Sequence, residues 1–101
     1  MILQIVRFKS GLKEEDVLQK YNSRAPRYRE VKGLKQKYYL RYPETGEYGA
    51  VYFWETESAL NEFRESELGQ TIATSYKIQG DPESRKAEVI MTLHDFESVK
   101  S

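Results

Sequence analysis

APRYREVKGLKQKYYLRYPETGEYGAVYFWETESALNEF, residues 25–63, is the stretch from which the whole chain is read. It ends one helix, crosses two strands joined by a turn, and starts a second helix. On the first strand, residues 34–42, Leu34, Gln36, Tyr38, Leu40 and Tyr42 alternate with Lys35, Lys37, Tyr39 and Arg41. On the second, residues 48–55, Tyr48, Ala50, Tyr52 and Trp54 alternate with Gly49, Val51 and Phe53. Side chains two apart share one face of a strand. Pro43, Glu44, Thr45 and Gly46 supply the turn, with proline and glycine where a reversal suits them. Large rings on both strands must find partners across the pair, which specifies the register. The expected result is a single face holding Tyr38, Tyr42, Tyr52 and Trp54.

Working outward, residues 13–31 place Val17, Tyr21, Arg24, Tyr28 and Val31 at intervals of four and three, along one side of a helix. Glu14, Glu15 and Asp16 suit the positive end of its dipole. Pro26 lies inside this pattern, where proline costs roughly 3 kcal/mol, and predicts a kink or a restart near residues 24–26. Gly33 is the stop. Residues 2–9 set Leu3 and Ile5 on one face and Ile2, Val6 and Phe8 on the other, a strand covered on both sides. Beyond the hairpin, Thr56 caps a helix over 57–64 whose inward side is Ala59, Leu60 and Phe63. Ser66 caps a second short helix with Leu68, Ile72 and Ser75 or Tyr76 inward. Gly80, Asp81 and Pro82 read as a loop. Residues 86–96 read as the last strand, with Ala87, Val89, Met91 and Leu93 opposite Ile90, Thr92, His94 and Phe96. The order β-α-β-β-α-β is that of the ferredoxin-like plait, an α+β fold with a four-stranded antiparallel sheet and helices on one face. The other face carries Val51, Phe53 and apolar residues of the first and last strands. That predicts a homodimer through sheet faces, closing an α/β barrel.

The 101 residues suit a single domain. Sixteen Lys and Arg balance sixteen Asp and Glu, for a formal net charge of +0, so nothing draws the chain globally toward nucleic acid or an anionic membrane. The absence of cysteine excludes disulfides, thiolate metal sites and cysteine nucleophiles. No metal cluster, nucleophile triad or phosphate loop stands in the sequence, and no cofactor is expected. MILQIVRFKS runs straight into charge and reads as a strand rather than a signal peptide. No run of about 18 apolar residues suits a membrane span. The expectation is a cytoplasmic protein that binds neither nucleic acid nor membrane.

The blocks AP-R-Y-R-x-V-x-GL-x-x-KYYL-R and TGE-x-GA-VYFWE-T-x-SAL-x-EF resemble the YdhR-like branch of the dimeric α/β-barrel superfamily. That superfamily also holds antibiotic-biosynthesis monooxygenases, haem-degrading monooxygenases and small stress-responsive barrels. The resemblance runs from about Ala25 to Phe63 and more loosely to Phe96. It implies a monooxygenase without naming its substrate. Haem-degrading relatives use an Asn on the first strand and a Trp and a His ten residues apart on the second helix. Aligned through WETESALNEF, the Trp position falls on Phe63 and the His position on Ala73; the first strand offers Gln4 and Arg7 but no Asn. That mechanism does not carry over. Trp54 matches a strand-end Trp that many members carry whatever their chemistry.

The resemblance implies a cleft for a planar aromatic substrate, lined by Tyr38, Tyr52 and Trp54, with Tyr28, Arg27 and Phe63 alongside. The same rings also read as an aromatic core. Arg24, Arg27 and Arg29 read either as holders of an anionic group or as a solvated face. His94, the only histidine, is the candidate proton shuttle for a cofactor-free oxygenation, or a solvent-facing strand end. Lys35, Lys37 and Arg41 around Tyr39 read as solvated or dimer-edge cations. Two functions therefore stand: a metal-free small-molecule monooxygenase acting on an aromatic or quinol-like compound, and a non-catalytic ligand-binding or stress-responsive dimer. A cavity of several hundred Å³ lined by Tyr38, Tyr52 or Trp54, with a titratable group at its wall, favours the first. A sheet–helix interface filled solid by those rings favours the second.

Overall fold

β1 (Ile2–Ser10) and β3 (Glu47–Trp54) are the central strands of an antiparallel sheet flanked by β2 (Leu34–Tyr42) and β4 (Ile78–Glu88), in the order β2-β3-β1-β4. The structure is a computed structural model and describes residues 1–94. α1 (Glu14–Arg29) joins β1 to β2, and α2 (Glu57–Glu65) with the one-turn helices α3 (Glu67–Gln70) and α4 (Ile72–Ser75) joins β3 to β4. This is the ferredoxin-like plait that the sequence order predicts.

Gln4 and Phe8 of β1 and Tyr48, Ala50, Tyr52 and Trp54 of β3 alternate toward the helices and are buried. One core cluster gathers Tyr28, Tyr52, Trp54, Leu60, Phe63 and Leu68; a second holds Phe8, Val17, Tyr48 and Tyr76. Burying side chains of this size contributes roughly 1.5–3 kcal/mol each. Thr56 caps α2, its Oγ1 accepting from the Ala59 amide at 3.1 Å. Ser66 caps α3, its Oγ accepting from the Gly69 amide at 3.1 Å. The single short helix expected there divides into α3 and α4 at Thr71.

Three expectations are corrected. α1 runs without a restart through Pro26, which lies in its last turns between the buried anchors Arg24 and Tyr28. Those anchors hold the helix past the missing backbone bond. Second, β2 carries a bulge: Leu34 opposes Trp54, yet Gln36 opposes Phe53. One extra residue reverses the alternation beyond it. Lys37 and Tyr39 consequently lie opposite Tyr52 and Ala50 on the helix face, while Tyr38 opposes Val51 on the far face. Tyr38 and Tyr42 thus do not share a face with Tyr52 and Trp54.

Third, the last strand is Ile78–Glu88, not 86–96, and it takes in the expected loop at Gly80, Asp81 and Pro82. It is an edge strand, where proline is tolerated and charged side chains discourage further pairing. A register shift opposite Arg7 and Lys9 accommodates Gly80 at φ 71°. The Val89 amide donates to the Met1 carbonyl at 2.9 Å, and Ile90, Met91 and Leu93 are exposed beyond it. Asp95 and Phe96 lie outside the described residues.

Candidate functional site

Between the helix face of the sheet and α2–α4 lies a cavity of about 320 Å³. β1 contributes Gln4, β3 Tyr52, α2 Phe63, α4 Ala73 and β4 Ser84, with the exposed Arg64 also on its wall. Gln4 is the one uncharged polar side chain buried here: its Oε1 accepts from Trp54 Nε1 at 2.9 Å and its Nε2 donates to Ser84 Oγ at 3.4 Å. Leaving a buried amide or indole N–H of this kind unpaired costs about 1–3 kcal/mol, so Gln4 and Trp54 hold each other in place. Trp54 is wholly buried and stacks on Tyr52, centroids 5.7 Å apart and planes 9° from parallel. Burial pushes the Tyr52 phenol well above its usual range, with the Tyr28 phenol and a hydrogen bond to it adding to the shift. At neutral pH its hydroxyl keeps its proton.

The cavity brings together Tyr52 and Phe63, with Gln4 and Ala73 beside them. Trp54 supports Tyr52 from behind and does not line the wall. Tyr28 is buried against Phe63 and Tyr52, centroids 5.7 and 6.3 Å away. Arg27 lies apart, its Nη2 donating to the exposed Glu67 carboxylate at 3.1 Å. Tyr38 stands half exposed on the opposite face, edge-on to Phe53 at 6.1 Å. His94 is exposed beyond the end of β4 and lines no part of this cavity.

Arg24 and Lys37, for each of which a solvated face was one of two readings, both turn toward the inside of the fold. Arg24 is 9% exposed; its Nη2 donates to the Leu68 carbonyl and its Nη1 to Ser75 Oγ, both at 2.7 Å. Lys37 enters the helix face through the β2 bulge. Its Nζ sits 3.2 Å from the Tyr28 ring centroid, 4.4 Å from that of Tyr39 and 4.7 Å from that of Tyr52. Burial, aided by the nearby charge of Arg24, pushes the Lys37 ammonium down to about 6. The ring faces oppose that shift by favouring the cation, but they replace only part of the lost hydration. Among the described residues no three His, Asp or Glu side chains gather into a metal-binding group. No described helix is long and apolar enough to cross a membrane.

No family model matches this chain, and no curated protein matches it in sequence. Solved structures do match. SnoaB, a cofactor-independent oxygenase from Streptomyces nogalater, superimposes with a TM-score of 0.73 at 14% identity, over 93% of this chain and 97% of that one. The chain has the fold of that oxygenase. An antibiotic biosynthesis monooxygenase matches with a TM-score of 0.72 at 14% identity, over 90% of this chain and 100% of the other. NE2512, a protein of unknown function from Nitrosomonas europaea, matches at 0.76 and 13% identity, over 93% of each chain. At these identities the likeness is one of fold.

Proposed function

We propose that this protein is a small-molecule monooxygenase of the antibiotic-biosynthesis-monooxygenase type, acting without metal on an aromatic or quinol-like substrate. The observation that carries this is the cavity where Gln4, Tyr52, Phe63 and Ala73 converge. It is concave and mostly apolar with a few polar groups, as small-molecule sites are. The fold shared with a cofactor-independent oxygenase supports the same reading. In such a reaction an electron-rich substrate anion supplies the electrons to dioxygen; one oxygen atom enters the ring and the other leaves as water. Among the described residues the wall holds no carboxylate and no histidine, which suits a substrate acidic enough to enter as its own anion. The guanidinium of Arg64 draws that anion in, Tyr52 and Phe63 give the ring a flat bed, and apolar walls exclude water. A second copy of the chain covers the open face of the sheet.

Oxygen uptake tests this directly, with a panel of quinols and polyphenols offered to the purified protein with and without flavin. Uptake is expected with at least one of them, indifferent to flavin, and lost in Ala73→Phe, which fills the cavity. A folded protein that consumes oxygen with none of them overturns the oxygenase and leaves a non-catalytic ligand-binding dimer.

A further inference from the structure

Between α1 and β2 opens a cleft of about 520 Å³ walled by Tyr28, Tyr39, Lys37, Arg29 and Lys35. Three of these carry basic side chains, and no carboxylate of the described residues lines the cleft. From α1, Tyr28 and Arg24 face the Lys37 amine, with the exposed Arg29 further out; from β2 it meets Tyr39; from β3, Tyr52. Lys35 is already engaged by Glu55 at 3.7 Å. Among the described residues Lys37 Nζ has ring faces for neighbours but neither a hydrogen-bond acceptor nor a carboxylate. Lys37 is half-buried, and among ring faces without an acceptor its amine loses part of its hydration with nothing to replace it. An anion on a flat ring would supply both what the amine lacks and what the tyrosines pack against.

We propose that the α1–β2 cleft is a second binding site, for a planar aromatic anion whose carboxylate or phenolate oxygen pairs with Lys37 Nζ while its ring lies against Tyr28 and Tyr39. The site is distinct from the oxygenation cavity, with which it shares no lining residue. Occupation is coupled to a proton. The amine is largely neutral in the empty cleft, and it becomes an ammonium when the anion arrives. A carboxylate ligand therefore takes that proton from solvent. A phenol hands over its own.

Calorimetric titration of 4-hydroxybenzoate and of 4-nitrophenol, in two buffers of different ionisation enthalpy, tests this with the intact protein. Net uptake approaching one proton is expected for the benzoate at pH 7.5. For an amine titrating at about 6, its affinity rises about 15-fold between pH 7.5 and 6. At pH 6.5, where the protons already on the phenol and the amine together supply the one the complex holds, the nitrophenol is expected to bind as the yellow phenolate with no net proton uptake. Whichever probe binds in this way identifies the source of the anion. Lys37→Met should abolish the proton linkage and weaken binding at pH 6 at least tenfold. Lys37→Arg, charged throughout, should bind the benzoate without proton uptake, an effect that a packing role for Lys37 would not produce. Ala73→Phe should change neither. No binding of either probe, or binding that survives Lys37→Met with the same proton count, overturns the proposal. Binding lost in Ala73→Phe but kept in Lys37→Met assigns the ligand to the other cavity and overturns it as well.

Discussion

Lys37 is the residue whose energetics differ most from its sequence reading. Its pKa is lowered to about 6 in the folded chain, against an ordinary 10.5 in the unfolded one. Between those values the unfolded state binds the extra proton, so stability rises with pH across that window and is independent of this group below about 6. Tyr21, Tyr52 and Tyr76, whose phenols burial pushes up, act in the opposite sense once the unfolded tyrosines begin to ionise near pH 10. The clean range is therefore pH 6 to 9. Thermal melts over that range should show Tm climbing for the wild type. In Lys37→Met the slope should flatten and Tm at pH 7 should exceed that of the wild type. A Lys37→Met protein less stable at pH 7 would mean that the three ring faces hold a full cation. A side chain whose removal stabilises the fold fits a site held for a ligand rather than for packing.

At the scale of elements, Arg24 is the clamp between α1 and the short helices α3 and α4. α3 and α4 are single turns, too short to persist alone. Arg24 ties them down through the Leu68 carbonyl and Ser75 Oγ, and Thr71 Oγ1 accepts a third bond at 3.3 Å. The clamp is imperfect, since its buried Nε has no partner. Arg24→Met should cost about 2–4 kcal/mol, the range for losing charge-assisted bonds and orphaning a buried carbonyl. Hydrogen exchange should locate the loosening in residues 67–76, and the pH dependence of Lys37 should move up as its like-charged neighbour disappears. Uniform loss of protection over the chain would contradict a local clamp. The elements themselves were legible because their signals are local: alternation in the hairpin, Thr56 and Ser66 at helix starts, Gly33 at a φ of 83° where a side chain would be strained. The parity of β2 was not legible. Tyr38 and Tyr39 are adjacent, so either phase puts a ring toward the helices, and no pattern in LKQKYYL marks the extra residue. The site at Lys37 was lost with that phase, and Tyr38 was misplaced into it. β4 was misread for the converse reason: an edge strand needs no apolar alternation, whereas the exposed residues that follow it happen to have some.

For the whole molecule the open face of the sheet sets the question of assembly. A chain of 101 residues buries about two-thirds of its unfolded surface, which leaves a modest margin of stability. At the centre of that face Ile5 lies directly opposite Val51, which is opposite Tyr38 in turn; Ile5 is 36% exposed and Tyr38 47%. Around them charge is balanced: Arg7 and Glu47 are paired at 2.7 Å, and Glu83 and Arg85 share a hollow with Ile5 and Tyr42. An apolar centre with an electroneutral rim can meet a copy of itself about a two-fold axis without opposing like charges, as an isologous interface requires. The exposed Ile90, Met91 and Leu93 leave the sheet at the end of β4, where a second copy would cover them. The 11.9 kDa chain is accordingly expected to sediment as a dimer of twice that mass. Replacing Ile5 and Val51 together by Lys puts four ammonium groups at the centre of the paired sheets, and a monomer is expected. Both side chains lie on the face away from the helices, so that monomer should keep its fold by circular dichroism while its melting temperature falls and loses its dependence on concentration. A doubly substituted protein that still sediments as a dimer would assign assembly to another surface, and the open face would then have to be stable in water on its own.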